Sequence, residues 1–104
     1  MRRAQRSTPP VPPVLWEDLR SLARALLAHP VARREALCRR ILCGARRARR
    51  YGQLTGRCHP CWGNGSVDAA ARVFPLAVEP FPGDGDYAAC LSLALAALSG
   101  RGAA

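Results

Sequence analysis

Apolar residues recur at helical spacing through two long stretches of this chain of 104 residues. Between residues 14 and 29, leucines recur at intervals of four, three and four, which is heptad spacing. Pro30 ends this stretch, because the residue before a proline disfavours helical backbone. A second stretch runs from residue 30 or 31 to between 51 and 54 with the same spacing, and Gly44 is a weak point inside it. The pattern predicts two helices paired as an antiparallel hairpin.

The predicted hairpin has a seam of only about two heptads, which is marginal for one chain alone. Self-association would add apolar contacts to the seam. We therefore expect a homo-oligomer of unspecified number, whose seam is formed by Leu15, Leu19, Leu22, Leu26, Leu37 and Ile41.

Turn-forming residues follow the hairpin. Residues 55–66 contain three glycines, a proline and an asparagine, which indicates a loop. Ser66 is a good N-cap for a third helix that ends at Phe74. No stretch alternates apolar and polar residues as a strand does, so we predict an all-α fold: a helical hairpin, a glycine-rich loop and two shorter helices.

The fourth predicted helix covers residues 87–99 and is capped by Asp86 or Asp84. It is apolar nearly all round, as expected of a helix buried against the hairpin. The chain is therefore predicted to form one small helical domain over residues 14–99. Residues 1–13 are expected to be a disordered basic, proline-rich tail, and residues 100–104 a second tail.

Arginine is concentrated in the second helix. The chain has 16 basic residues against 7 acidic ones, a net charge of +9, and every basic residue is arginine. At about 100° per residue, most of these arginines lie opposite the apolar side, whereas Arg34 and Arg49 fall on or near the apolar arc and must extend outward. Glu35 is the one acid between residues 33 and 57, so the repulsion is almost uncompensated. The pattern predicts a polyanionic partner, and the residues expected to contact its charged groups are Arg39, Arg40, Arg46, Arg47, Arg49 and Arg50.

The strongest local motif is Cys58-His59-Pro60-Cys61. A Cys-x-x-Cys pair can be a redox centre, but that chemistry expects a βαβ setting, and here an arginine-rich helix precedes it. Half of a zinc site is a second interpretation, although no other pair with ligand spacing completes four ligands. We favour ordinary loop cysteines, with no metal and no cofactor.

The remaining chemistry favours a protein that is not an enzyme. An active site would require clustered carboxylates or a nucleophile paired with a base, and the seven scattered acids and two histidines do not supply one. No glycine-rich phosphate loop is present either. Trp62 could stack on nucleic-acid bases, but a tryptophan in such a loop more often fills the core beneath it, and we favour that role.

The sequence also bears on location. The first residues are basic but are followed by a polar, proline-rich segment instead of the apolar segment of an export signal. The longest apolar run, residues 87–98, is shorter than the roughly 20 residues that a membrane span requires. We expect a cytoplasmic protein with no membrane partner.

Four segments carry a resemblance to a known family: Trp16-Glu17-Asp18-Leu19-Arg20, residues 55–67 (TGRCHPCWGNGSV), Glu79-Pro80-Phe81 and residues 86–91 (DYAACL). Across most of residues 14–99 the chain resembles small alphaproteobacterial proteins encoded at the head of gene transfer agent clusters, beside the large terminase. The resemblance implies the small terminase subunit of a phage-like particle. Such a subunit is expected to oligomerise, to bind DNA with little sequence preference and to deliver it to the large terminase subunit. The alternative is a helical interaction module that docks an acidic protein through its arginine side.

Overall fold

Four helices make up the computed structural model, which describes residues 15–81 and 83–100. They are α1 (Trp16–Leu27), α2 (Val31–Thr55), α3 (Val67–Ala71) and α4 (Gly85–Gly100). The described residues contain no strand, although an isolated bridge joins His59 and Gly63. The all-α prediction is confirmed: a pair of helices is followed by the glycine-rich loop and two further helices, both shorter than α2, although α4 is longer than α1. The predictions for residues 1–14 and 101–104 lie outside the described residues.

Side-chain caps determine where α3 and α4 begin. The Ser66 hydroxyl accepts a hydrogen bond from the Ala69 amide at 3.0 Å, which confirms it as the N-cap of α3. For α4 the cap is Asp84, whose carboxylate accepts from the Tyr87 amide at 2.9 Å. The third helix is shorter than predicted, because the amides at 73 and 74 bond to carbonyls three residues back and the chain turns away.

Most of the heptad leucines pack in the hydrophobic core of a single chain. Leu22, Leu26 and Ile41 are completely buried, and Leu37 is 8% exposed, in a core that α3 and α4 share with the helix pair. Helix α1 packs most extensively against α4 and α3, and less against α2. These four side chains have almost no surface left for a second copy in this fold, so the oligomer seam that the sequence suggested for them stays a prediction. Leu19 also packs against the core, and Leu15 is exposed.

Helix α4 is less buried than its composition suggested. One stripe of the helix faces the core, made up of Tyr87, Cys90, Ala94 and Leu98. Other positions face solvent, and Leu95 is 46% exposed. The prediction that α4 packs against the hairpin is confirmed, with α1 as its main partner, but nothing in the described part of the chain covers its outer side. No helix among the described residues is both long and apolar enough to cross a membrane.

Arg34 does not extend outward as its position on the apolar arc had suggested. It is buried, and its Nε donates to the carbonyl oxygens of Leu26 and His29, both at 2.9 Å. Its two Nη atoms donate to the carboxylate of Asp86 at 2.7 and 3.2 Å. Leu26 lies in the last turn of α1 and His29 in the turn that follows, so these bonds add a charged donor to the carbonyls where α1 ends. A single side chain thus joins α1, α2 and α4, and its hydrogen bonds lower the pKa of Asp86.

Candidate nucleic-acid interface

Helix α2 is about twice as long as α1, roughly 38 Å against 18 Å at 1.5 Å per residue. Beyond the reach of α1, the loop after α2 folds back along the helix and covers its apolar side. The Trp62 ring packs on Gly44, and the rings of Tyr51 and His59 meet edge-on at 5.1 Å. Trp62 is partly buried against the core, so the prediction that it fills space beneath the loop is confirmed.

Hydrogen bonds at His59 give the loop its shape. The backbone groups of His59 and Gly63 exchange two bonds, at 2.8 and 3.0 Å. The Nδ1 atom of His59 accepts from the amides of Cys61 and Trp62 at 3.0 and 3.1 Å. Gly63 has a φ of 86°, which a residue with a Cβ rarely adopts. The result is a tight turn that holds Trp62 against α2.

The opposite side of α2 faces solvent. Five of the six arginines predicted to contact DNA are exposed, namely Arg39, Arg40, Arg46, Arg47 and Arg50. We refer to these five as the arginine face. The sixth, Arg49, is partly buried, because the backbone at Gly65 lies against its Cα. The helical periodicity therefore predicted correctly which arginines are exposed. Arg49, which it placed on or near the apolar arc, is partly covered by the fold-back of the loop.

The arginine face carries uncompensated positive charge. In the described part of the chain, the side-chain ion pairs join Arg20 to Glu17 and Glu79, Arg34 to Asp86 and Arg72 to Asp68. None of them uses an arginine of the face. The acidic residues lie in α1, in α3 and between residues 79 and 86, and only Glu35 is on α2. The charge of the face is therefore free to attract a polyanion.

Arg40 and Phe74 meet at the edge of the arginine face. The guanidinium carbon of Arg40 lies 5.5 Å from the centroid of the Phe74 ring, within the range of a cation–π contact. Phe74 was not among the residues predicted to lie at this surface. No local signal could have placed it there, because the two residues are brought together only by the return of the chain after α3.

The cysteines do not form a site in the described residues. All five are free, with Cys38 and Cys90 buried and Cys43, Cys58 and Cys61 exposed. Burial raises the pKa of Cys38 to about 11, which keeps this thiol protonated. Within residues 15–81 and 83–100, no three His, Cys, Asp or Glu side chains converge as metal ligands would.

The chain belongs to a family described as a domain of unknown function, DUF7742, whose model matches residues 12–98. No curated protein and no solved structure matches it. The family carries no assigned activity.

Proposed function

We propose that this member of a family without an assigned function binds double-stranded DNA through its arginine face, with little sequence preference. One observation carries the proposal: five exposed arginines line one side of α2, and no described acid pairs with them. Arginine contacts to phosphates supply affinity and position the protein without reading the base sequence.

The dimensions of the face suit a duplex. Arg39 and Arg50 are separated by about 16 Å along the helix axis. Duplex DNA carries one negative charge per roughly 1.7 Å, so a segment of that length carries about ten phosphates. If all five arginines of the face contact phosphates, log K should fall by about 4.5 for each unit of log salt concentration.

We further propose that the chain acts as a non-catalytic DNA-packaging adaptor, the small terminase subunit of a phage-like gene transfer agent in the cytoplasm. This role rests on the sequence resemblance. Indiscriminate DNA binding suits a particle that carries arbitrary genome fragments. The adaptor would deliver DNA to the large terminase subunit as a homo-oligomer. Because most heptad leucines are buried within one chain, the oligomer must use other surfaces, such as the exposed side of α4.

A gel shift of the purified protein on unrelated DNA fragments, across a salt series, tests the binding proposal. Between 50 and 200 mM salt we expect the affinity to fall by roughly 500-fold for five phosphate contacts. The fragments should bind alike, and the mass in solution should exceed that of one chain. A salt slope near zero would contradict the proposal.

Two charge-matched variants locate the contact. Arg46→Ala with Arg50→Ala removes two arginines of the face and should reduce the salt slope by about 1.8. Arg57→Ala with Arg72→Ala removes the same charge from exposed positions off the face, and the slope should stay unchanged. Equal effects of the two variants would show that only net charge matters.

The second candidate is a module that docks an acidic protein through the same arginines. The same observation favours it, since exposed arginines without a described acidic partner can pair with carboxylates as well as with phosphates. Replacing Arg46, Arg47, Arg49 and Arg50 by alanine separates the two candidates. If the protein is a DNA-binding protein, the fourfold variant should lose its affinity for DNA. If it docks an acidic protein, only the binding of that protein should be lost. A protein that shifts no DNA even at low salt supports the second candidate.

A further inference from the structure

Three partly buried aromatic rings lie in a row along one flank of α2. The centroids of Trp62 and Phe74 are 6.1 Å apart, and those of Phe74 and His29 are 6.2 Å apart. The rings come from three separate segments: the turn after α1, the glycine-rich loop and the chain after α3. His29 is held by a hydrogen bond between its Nδ1 and the carbonyl of Ala25 at 2.8 Å, and Trp62 is held on Gly44. We call these three rings the aromatic row.

Arginines accompany the aromatic row at regular intervals. Arg33, Arg40 and Arg47 are seven residues apart, so they lie on nearly the same side of α2 with a rise of about 10.5 Å between neighbours. All three are exposed, and none takes part in an ion pair with a described residue. Arg40 is placed over the middle ring, Phe74.

Two open grooves lie between the rings and the arginines. One has a volume of about 490 Å³ and is lined by Trp62, Cys43, Arg47 and others. The second, of about 450 Å³, is lined by residues that include His29 and Arg33. Phe74 and Arg40 line both grooves and form the ridge between them. Each groove thus combines aromatic surface with at least one unpaired arginine.

We propose that this flank binds single-stranded DNA, with bases in the two grooves against the aromatic row and phosphates on Arg33, Arg40 and Arg47. Aromatic surfaces beside a positively charged groove bind single strands with little sequence preference, because every base has a face that can stack. A duplex cannot use the grooves, since its bases are already stacked inside it. An acidic peptide would engage the arginines and leave the rings uncovered. The inference rests on DNA being the polyanion of the proposed function, and adds frayed or melted DNA ends to its substrates.

Comparison of a short oligothymidylate with an abasic strand of equal length tests the inference. The full chain carrying Trp16→Phe is used, so that Trp62 is the only tryptophan. At a fixed salt concentration both strands meet the arginines, but only oligothymidylate can stack. We expect it to bind at least about fivefold more tightly and to quench the emission of Trp62.

A pair of cysteine variants provides the matched control. Cys43→Leu places a larger aliphatic side chain in the groove, whereas Cys58→Leu makes the same change at an exposed cysteine that does not line it. The first should weaken oligothymidylate binding and reduce the quenching of Trp62, while the groove beside His29 keeps part of the affinity and duplex affinity stays unchanged. The second should change neither affinity.

Each other outcome overturns the inference. Equal affinity for the two strands, or unchanged oligothymidylate binding by Cys43→Leu, would contradict base binding in the grooves. Salt-dependent duplex binding in the same experiment would still support the proposed function. Failure to bind any DNA overturns both proposals. Quenching of Trp62 by polyglutamate, without quenching by oligothymidylate, assigns the flank to an acidic protein.

Discussion

Two glycines of α2, Gly44 and Gly52, should respond in opposite ways to the same substitution. Alanine in place of a helix-interior glycine stabilises by about 1 kcal/mol where the new Cβ fits. At Gly52 the nearest atom to that Cβ would be the carbonyl oxygen of Arg57 at 3.6 Å, an ordinary contact. Gly52→Ala should therefore raise the free energy of unfolding by roughly 0.5–1 kcal/mol.

At Gly44 the new Cβ would overlap the indole of Trp62. Even the third-nearest ring atom, Cε2, would lie only 2.6 Å away. The ring must move off the helix, and overpacking of this kind costs about 3 kcal/mol at the upper end of its range. After subtraction of the gain of about 1 kcal/mol in helix propensity, Gly44→Ala should destabilise by about 2 kcal/mol. For a domain of this size, the melting temperature should fall by roughly 8–16 °C.

Thermal unfolding followed by far-UV circular dichroism measures both variants. In a Trp16→Phe background, the emission of Trp62 reports on the ring itself and should shift to the red only in Gly44→Ala. A Gly44→Ala protein as stable as Gly52→Ala, with unchanged emission, would refute the packing of Trp62 on α2.

Three further predictions follow from buried and paired groups. Arg34→Ala should lower the free energy of unfolding, measured by urea denaturation, by about 3 kcal/mol; this is the lower end for a broken buried ion pair, because the partner carboxylate of Asp86 is half exposed. The neighbouring Arg33→Ala should change the free energy of unfolding by no more than about 0.5 kcal/mol. Equal losses in the two variants would contradict the buried role of Arg34. Hydrogen bonds from Arg20 and then Tyr87 lower the pKa of Glu79, so the stability that this carboxylate contributes is present above its ordinary pKa of 4.5 and is lost as the pH falls through its lower pKa in the folded protein. In an acid titration of unfolding, Glu79→Gln should therefore lose less stability than the unmodified protein. Parallel losses in the two proteins would count against these hydrogen bonds. Burial raises the pKa of Cys38 and Cys90, so mass spectrometry should find these two thiols modified by a thiol reagent only after unfolding. The exposed thiols of Cys43, Cys58 and Cys61 should react rapidly in the native protein. Rapid labelling of all five thiols in the native protein would contradict the fold.

Local chemistry in the sequence was sufficient to predict the helices and the exposed side of α2. Heptad spacing, the proline at 30 and the serine at 66 act within a few residues of their own position, so they could be interpreted without a fold. The arginine face follows from the same periodicity. The resemblance to small terminases adds a functional hypothesis, which the DNA-binding experiments will test.

Tertiary structure decided which residues pack and which remain open. Arg34 meets a carboxylate 52 residues away, and Gly44 meets a tryptophan from the returning loop. The heptad leucines could equally have served a second copy, and α4 could have been covered on all sides. Helical periodicity tells which side chains share a face of a helix, but it cannot tell what that face packs against. Contacts between distant segments determine that, and they also place the aromatic row beside the arginines of α2.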